Sequence, residues 1–222
     1  MRKPQVILLS AAVALALSAC ADANQSASAP GDGESVGTAT QCEYPSDQTE
    51  PARPVDPPPA TNVPNQGTAN ATLQLTAGDI NLTLDRAKAP CTVNNFLSLA
   101  EQGYFDDTDC HRLVDEGIFI LQCGDPTATG RGGPGYTFAD ETTDDLTYTS
   151  GVVAMANRGP DTNGSQFFLV FDDSALPPEY TVFATMDDAG LEVVRGIARA
   201  GAGDAGPSKP NAEARIKGVT LG

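Results

Sequence analysis

Hydrophobic spacing changes several times along the chain, and each change marks a different kind of segment. Val6 to Leu17 is an unbroken apolar stretch behind Arg2 and Lys3, too short to be a good spanning helix, and the small residues Ser18 and Ala19 follow it. That pattern is a secretory signal over residues 1–19 rather than part of a fold. From Cys20 to Gly67 no period exists; Ala, Ser, Gly, Asp, Gln and Pro dominate, with Pro51, Pro54 and Pro57–Pro59. So little apolar surface does not offset ordering entropy, so 20–67 reads as a disordered tether. Within it, Cys42 suggests a point where the tether is pinned. From residue 68 the period becomes two: Leu73 and Leu75, a turn at Ala77–Asp79, then Ile80, Leu82 and Leu84, which predicts a hairpin with one buried face. Val93, Phe96, Leu97 and Ala100 then fall at i, i+3, i+4 and i+7, predicting a helix with Pro90 at its start and Gly103 past its end. Short apolar runs follow over 110–114, 117–122, 151–155, 166–171 and 180–186. Leu191, Val194 and Ile197 give a second helical stripe capped near Asp187–Asp188. Ala214 to Leu221 reads as a closing strand. Many short strands with two isolated helices predict a mainly β domain over 68–222, a closed antiparallel barrel with helices over its ends.

Composition narrows the partners. The chain has 222 residues, a formal net charge of −16 and no Trp. A polyanion repels nucleic acid, which is thereby excluded as an electrostatic partner. After Cys20, four cysteines remain: Cys42, Cys91, Cys110 and Cys123. In an exported chain an even count predicts two disulfides, and sequence alone allows three pairings. With one His and no CxxC pair, no metal site is expected.

The stretch Ala154 to Phe171 holds the densest chemistry. A small-residue strand ends at Ala156–Asn157, a loop with Gly159, Pro160 and Asn163-Gly164 follows, and Gln166 opens an apolar and aromatic strand. Asn-Gly between apolar runs is ordinarily a hairpin turn; the alternative is a loop that presents amide side chains along a groove. His111 has no acid or nucleophile signature near it, and Asn-Gly-Ser-Gln is not a hydrolase elbow. It is read as a structural hydrogen bonder.

Three blocks together resemble the cyclophilin family of peptidyl-prolyl isomerases: Cys110-His111-Arg112-Leu113; Phe119-Ile120-Leu121-Gln122-Cys123-Gly124-Asp125 continuing through Gly130 to Glu141; and Met155-Ala156-Asn157 to Asn163-Gly164-Ser165-Gln166-Phe167-Phe168. The resemblance covers about residues 69–221. It implies an eight-stranded antiparallel barrel capped by two α-helices, and cofactor-free isomerisation of X-Pro bonds in proline-containing peptides and unfolded exported proteins. Carried over, Arg112 is the catalytic residue. Phe119, Ile120, Phe168 and Leu176 form the proline pocket, while Gln122, Asn157, Ala156 and Gln166 hold the peptide. Ile120 stands where the family usually has Met, Ala175 where many eukaryotic members have Trp, and Tyr180 where they have His. The turn between Arg112 and Phe119 is about two residues longer than in compact members, and its Asp115 and Glu116 are expected to disfavour acidic peptides.

The implied fold sets Cys110 opposite Cys123, which leaves Cys42 to pair with Cys91. Leu17-Ser18-Ala19-Cys20 resembles the bacterial lipobox, so Cys20 is the expected lipidation site. The chain is then expected to be an exported monomer, lipid-anchored on the outer side of the cell membrane. The competing class is a non-catalytic proline-peptide-binding chaperone or interaction module of the cell envelope.

Overall fold

The computed structural model describes residues 38–203 and 208–222. The signal segment and Cys20 lie outside them. In chain order the elements are β1 (Ala39–Thr40), β2 (Val63–Pro64), β3 (Thr68–Leu75), β4 (Gly78–Asp85), α1 (Pro90–Glu101), β5 (Thr108–Asp109), β6 (Arg112–Glu116), β7 (Ile118–Cys123), β8 (Val152–Met155), β9 (Phe167–Val170), β10 (Val182–Met186), α2 (Asp188–Arg199) and β11 (Arg215–Leu221).

The period-two segment folds as expected. β3 and β4 pair from Thr68↔Asp85 to Leu75↔Gly78, so only Thr76 and Ala77 make the turn. Leu73, Leu75, Ile80, Leu82 and Leu84 all face inward and are buried. One antiparallel sheet runs β5-β11-β3-β4-β10-β8-β9-β7-β6. Its two outer members, β5 and β6, are consecutive in the chain, separated only by Cys110 and His111. They are one bent strand whose first half pairs with β11 and whose second half pairs with β7. Counting them together gives eight strands, and the bend carries the sheet around on itself. The backbone bond from Cys110 N to Ala214 O (2.7 Å) lies at this join.

Each helix starts in its own way. Asp187 caps α2, its carboxylate accepting from Gly190 N at 2.8 Å. α1 has no side-chain cap of its own. Instead Glu141 accepts from Cys91 N, Thr92 N and Thr92 Oγ1 at 2.8–2.9 Å. A carboxylate there satisfies orphan amides and complements the helix dipole. An aromatic group sits within the barrel core: Phe96 stacks on Phe105, meets Phe167 edge-on and Phe183 at a tilt, with ring centroids 5.3–5.7 Å apart.

Residues 38–67 depart from the expected tether. They run along the domain as a strap. β1 pairs with β2, a disulfide joins Cys42 to Cys91, and the Tyr44 hydroxyl donates to Cys91 O at 2.8 Å. Arg53 donates to the carbonyls of Gly103, Tyr104 and Asp106 just past α1. Composition misled here because a few anchoring residues, spaced by prolines that lower the ordering cost, substitute for a core. The second disulfide joins Cys110 to Cys123.

Gly190 sets how closely α2 approaches β4. A Cβ there would sit 2.7 Å from Ile80 Cγ2, 3.0 Å from Ile80 Cα and 2.8 Å from the capping Asp187 carboxylate. Gly190→Ala gains about 1 kcal/mol of helix propensity. Overpacking costs about 1–3 kcal/mol, and a disturbed cap adds ~1 kcal/mol. The expected net is a loss of about 1–3 kcal/mol, seen in denaturant unfolding as a lower midpoint at unchanged m-value.

Candidate functional site

Strands β7, β9 and β8 are apolar on both faces, which a barrel wall with one wet side does not require. Leu121, Cys123, Phe167, Leu169, Val153 and Met155 fill the barrel core. The alternate residues Ile120, Phe168, Val170 and Ala154 are also buried, in a second cluster with Tyr148 and Val182. Ile120 and Phe168 of that second cluster form the floor of a cleft of about 640 Å³, and the rest of the cluster packs beneath them.

Register builds the cleft. Directly paired residues of an antiparallel ladder point to the same face. Arg112 pairs with Gln122, Gln122 with Phe168, and Phe168 with Ala154, giving one row across four strands. Val114, Ile120 and Val170 form the next row. Loops complete the rim: Ala156 and Asn157 after β8, Leu176 and Tyr180 before β10. Tyr180 is held from below. Its ring packs edge-on against Phe168 at 5.6 Å; its backbone N donates to the Tyr148 hydroxyl, which in turn donates to Tyr180 O. Asn157 Nδ2 donates to Glu179 O at 2.8 Å, joining the two rim loops.

A chain of amides aims Arg112. Its Nη1 donates to Gln122 Oε1 (3.1 Å), Gln122 Nε2 donates to Gln166 Oε1 (2.8 Å), and Gln166 Nε2 donates to Gly132 O (2.9 Å). Among the described residues Arg112 makes no ion pair. Its remaining guanidinium donors therefore face the cleft uncommitted. The Cys110–Cys123 disulfide ties the Arg112 and Gln122 strands together just beside this pair, with Cα atoms 4.0 Å apart.

The structure thus brings Arg112, Ile120, Gln122, Ala156, Asn157, Phe168, Leu176 and Tyr180 into one cleft. Gln166 lies one step away, in an adjoining recess of about 80 Å³ that shares Gln122, Ala156 and Asn157 with the cleft. Phe119 is not among them. It alternates with Ile118 and Ile120, so its ring points to the opposite face, edge-on to Phe171 at 5.9 Å. Ile118 occupies the cleft instead. Strict alternation back from Gln122 identifies Ile118, whereas alignment on the aromatic residue does not. The same alternation puts Asp115, opposite Phe119, on the far face. Neither Asp115 nor Glu116 lines the cleft, while Arg112 and Lys209 do. Glu116 does pair with Ile118 of the cleft, so it is the one of the two acidic residues that lies on the cleft side of the hairpin. Ser208 and Lys209 carried no sequence signal; they arrive because Leu113 N donates to Ser208 O at 2.6 Å. Asn163-Gly164 makes no tight hairpin: β8 and β9 do pair, but across the whole loop 156–166.

His111 also lines the cleft, between Arg112 and the loop at Gly130. Among the described residues neither ring nitrogen makes a hydrogen bond of good geometry, although the Gln166 side chain and the Asp109 backbone lie near enough to favour the charged ring slightly. Burial holds its pKa below the ordinary histidine value, despite the opposing pull of the Asp125 carboxylate. Burial also works against ionisation of Asp125, but bonds from Thr127 and Gly132, with His111 nearby, bring its pKa below the usual carboxylate value. A histidine whose folded pKa is depressed favours folding only while neutral. That stability is complete above the unfolded value near 6.5 and is lost as pH falls through the folded value. Unfolding free energy measured from pH 7.5 to 5 is expected to fall below about pH 6.5, with the fall reduced in His111→Gln.

Comparison with known proteins agrees with this geometry. The family model for cyclophilin type peptidyl-prolyl cis-trans isomerase/CLD matches residues 70–221. The chain is 45% identical over 204 residues to a probable peptidyl-prolyl cis-trans isomerase B of Mycobacterium leprae, covering 84% of this chain and 68% of that one. It is 42% identical over 202 residues to the Mycobacterium tuberculosis protein of the same name, covering 84% and 66%. The chain thus spans about two thirds of the length of these relatives. A crystal structure of a Cryptosporidium parvum cyclophilin type peptidyl-prolyl cis-trans isomerase superposes with a TM-score of 0.63 at 33% identity, over 70% of this chain and 98% of that one. A further structure of that protein, determined in the presence of the dipeptide Ala-Pro, gives a TM-score of 0.61.

Proposed function

The chain belongs to the cyclophilin-type peptidyl-prolyl cis-trans isomerases, and we propose that it rotates X-Pro bonds of unfolded exported proteins in this cleft, from an anchor at Cys20 on the outer side of the cell membrane. The observation that carries the catalytic reading is Arg112. It is an uncommitted guanidinium, aimed by Gln122 and set beside an apolar floor of Ile120 and Phe168.

Resonance makes the X-Pro bond partly double and gives a barrier of about 18–20 kcal/mol. Lowering it calls for groups that favour the twisted amide over either planar form. The proline ring seats on Ile120, Phe168, Leu176 and Ile118, against the edge of Tyr180. Burying the ring holds it while the acyl side turns. In the twisted state the lone pair returns to nitrogen, and Arg112 donates toward that nitrogen and its carbonyl region. Planar amide nitrogen accepts poorly, so this bond strengthens only as resonance is lost, which is the differential binding that catalysis needs. Gln122, Asn157 and Gln166 hold the peptide backbone by their amides. No step forms or breaks a covalent bond.

A low-dielectric floor under the guanidinium strengthens the interaction relative to water. Removing a donor aimed at a transition state typically costs about 10²–10³ in kcat. Arg112→Ala is expected to lose isomerisation of a proline tetrapeptide by about that factor. Arg112→Lys keeps charge but not the planar fork, and should recover only part of it. A wild-type protein that binds the peptide without accelerating isomerisation would instead support the non-catalytic binding module.

The anchor is a separate statement. It rests on the apolar segment Val6–Leu17 and the Leu17-Ser18-Ala19-Cys20 tetrapeptide. Cys20→Ser is expected to move the protein from the membrane fraction to the soluble fraction of expressing cells, without changing peptide turnover. Retention in the membrane fraction would refute lipidation.

A further inference from the structure

Building on the isomerase reading, we propose that the strap is part of the substrate-binding apparatus: residues Tyr44–Ala52, tied down by Cys42–Cys91, hold the 132–137 wall of the recess beside the cleft, so that the enzyme grips peptides that extend beyond the X-Pro pair.

The recess and the cleft are continuous through Gln122, Ala156 and Asn157. On its other side the recess is walled by Gly132, Gly133, Pro134, Tyr136 and Thr137. This wall belongs to no element of the barrel sheet. Gly132 O is also the acceptor that ends the amide chain from Arg112 through Gln122 and Gln166.

What the wall leans on is the strap. Ala52 N donates to Gly133 O at 2.9 Å, Asp47 N to Gly135 O at 3.2 Å, and Thr137 N to Pro45 O at 3.0 Å. Ser46 and Tyr136 form an antiparallel bridge. Tyr44 packs edge-on against Tyr136 and Phe138, with centroids 5.8 and 5.6 Å away. Contact is close: a Cβ on Gly132 would meet Ala52 Cβ at 3.0 Å, and one on Gly135 would meet Thr49 O at 3.2 Å. The strap therefore acts as an added strand for the wall, and Asp47 itself reaches the recess lining. A peptide that runs from the cleft into the recess passes along this wall.

The relatives fit this reading. The Cryptosporidium structure is matched almost end to end by 70% of this chain, which leaves little room in it for a strap. The Mycobacterium leprae protein is matched over 84% of this chain, more than residues 70–221 contain, so that match takes in part of the strap.

The strap supplies no group to the reacting amide, so it is a positioning element. Its loss should weaken the hold on long peptides and leave the chemistry on short ones alone. The test uses the full chain with the double variant Cys42→Ser/Cys91→Ser, which keeps Cys110–Cys123, and separately Ala52→Pro. The latter keeps both disulfides and removes the donor to Gly133 O, at the cost of a locally fixed backbone, so it reports even if the disulfide variant folds poorly. Calorimetric affinity is measured for a four-residue and an eight-residue proline peptide, together with turnover of the four-residue one. The expected result is a loss of about tenfold in affinity for the eight-residue peptide, equivalent to ~1.4 kcal/mol, with affinity and kcat for the four-residue peptide unchanged. Equal losses on both peptides, or none on either, overturn the proposal. Absence of turnover in the wild type bears on the isomerase reading alone, because the two affinities decide the strap independently.

Discussion

Everything at the site depends on the two-faced burial of β7, β9 and β8. A β-strand alternates its side chains strictly, so one strand can serve the barrel and the cleft at once, with a polar residue only where it has partners. In β7, Leu121 and Cys123 belong to the barrel while Ile120 and Gln122 belong to the cleft. The barrel's rigidity is thereby transferred to the cleft floor without any intervening loop. A slip of one residue in the β6–β7 register would send Gln122 inward and leave Arg112 without its aiming partner. The Cys110–Cys123 disulfide opposes such a slip covalently, at the point where the closing strand bends.

The sequence made the barrel legible because its strongest signals are local. The period-two run from Leu73 to Leu84 and the 3.6-residue stripes of both helices each describe a single face against one core. The cleft was legible through the blocks around Arg112, Gln122 and Phe168. Three features were not, each for a physical reason. Phe119 was placed by its aromatic identity, whereas the lengthened turn leaves facing to be decided by parity, and parity selects Ile118. Lys209 reaches the cleft through a backbone bond between Leu113 and Ser208, which no side-chain pattern encodes. The strap was read as disordered because composition measures apolar surface, and it is held by a disulfide, a tyrosine and an arginine that binds three carbonyls.

His111 belongs with these. A lone histidine beside Arg112 invites a polar role, yet among the described residues neither nitrogen has a hydrogen bond of good geometry. Its neutrality suits the site: a second cation next to Arg112 would repel the guanidinium from the position that Gln122 gives it. Burial keeps the imidazole neutral, and the imidazole fills space under the Gly130 loop.

The way the barrel closes has a consequence for the order in which a growing chain becomes safe. Leu75 of β3 pairs with Ile216, and Thr108 of β5 pairs with the same residue. Until β11 emerges, β3 and β5 both present open edges, which are templates for joining other chains. A chain made amino-end first is therefore an unsealed sheet until its last strand is complete. By then the strap, Cys42 and Cys91 have all been made, so one side of α1 already has its cover while the last strand is still awaited.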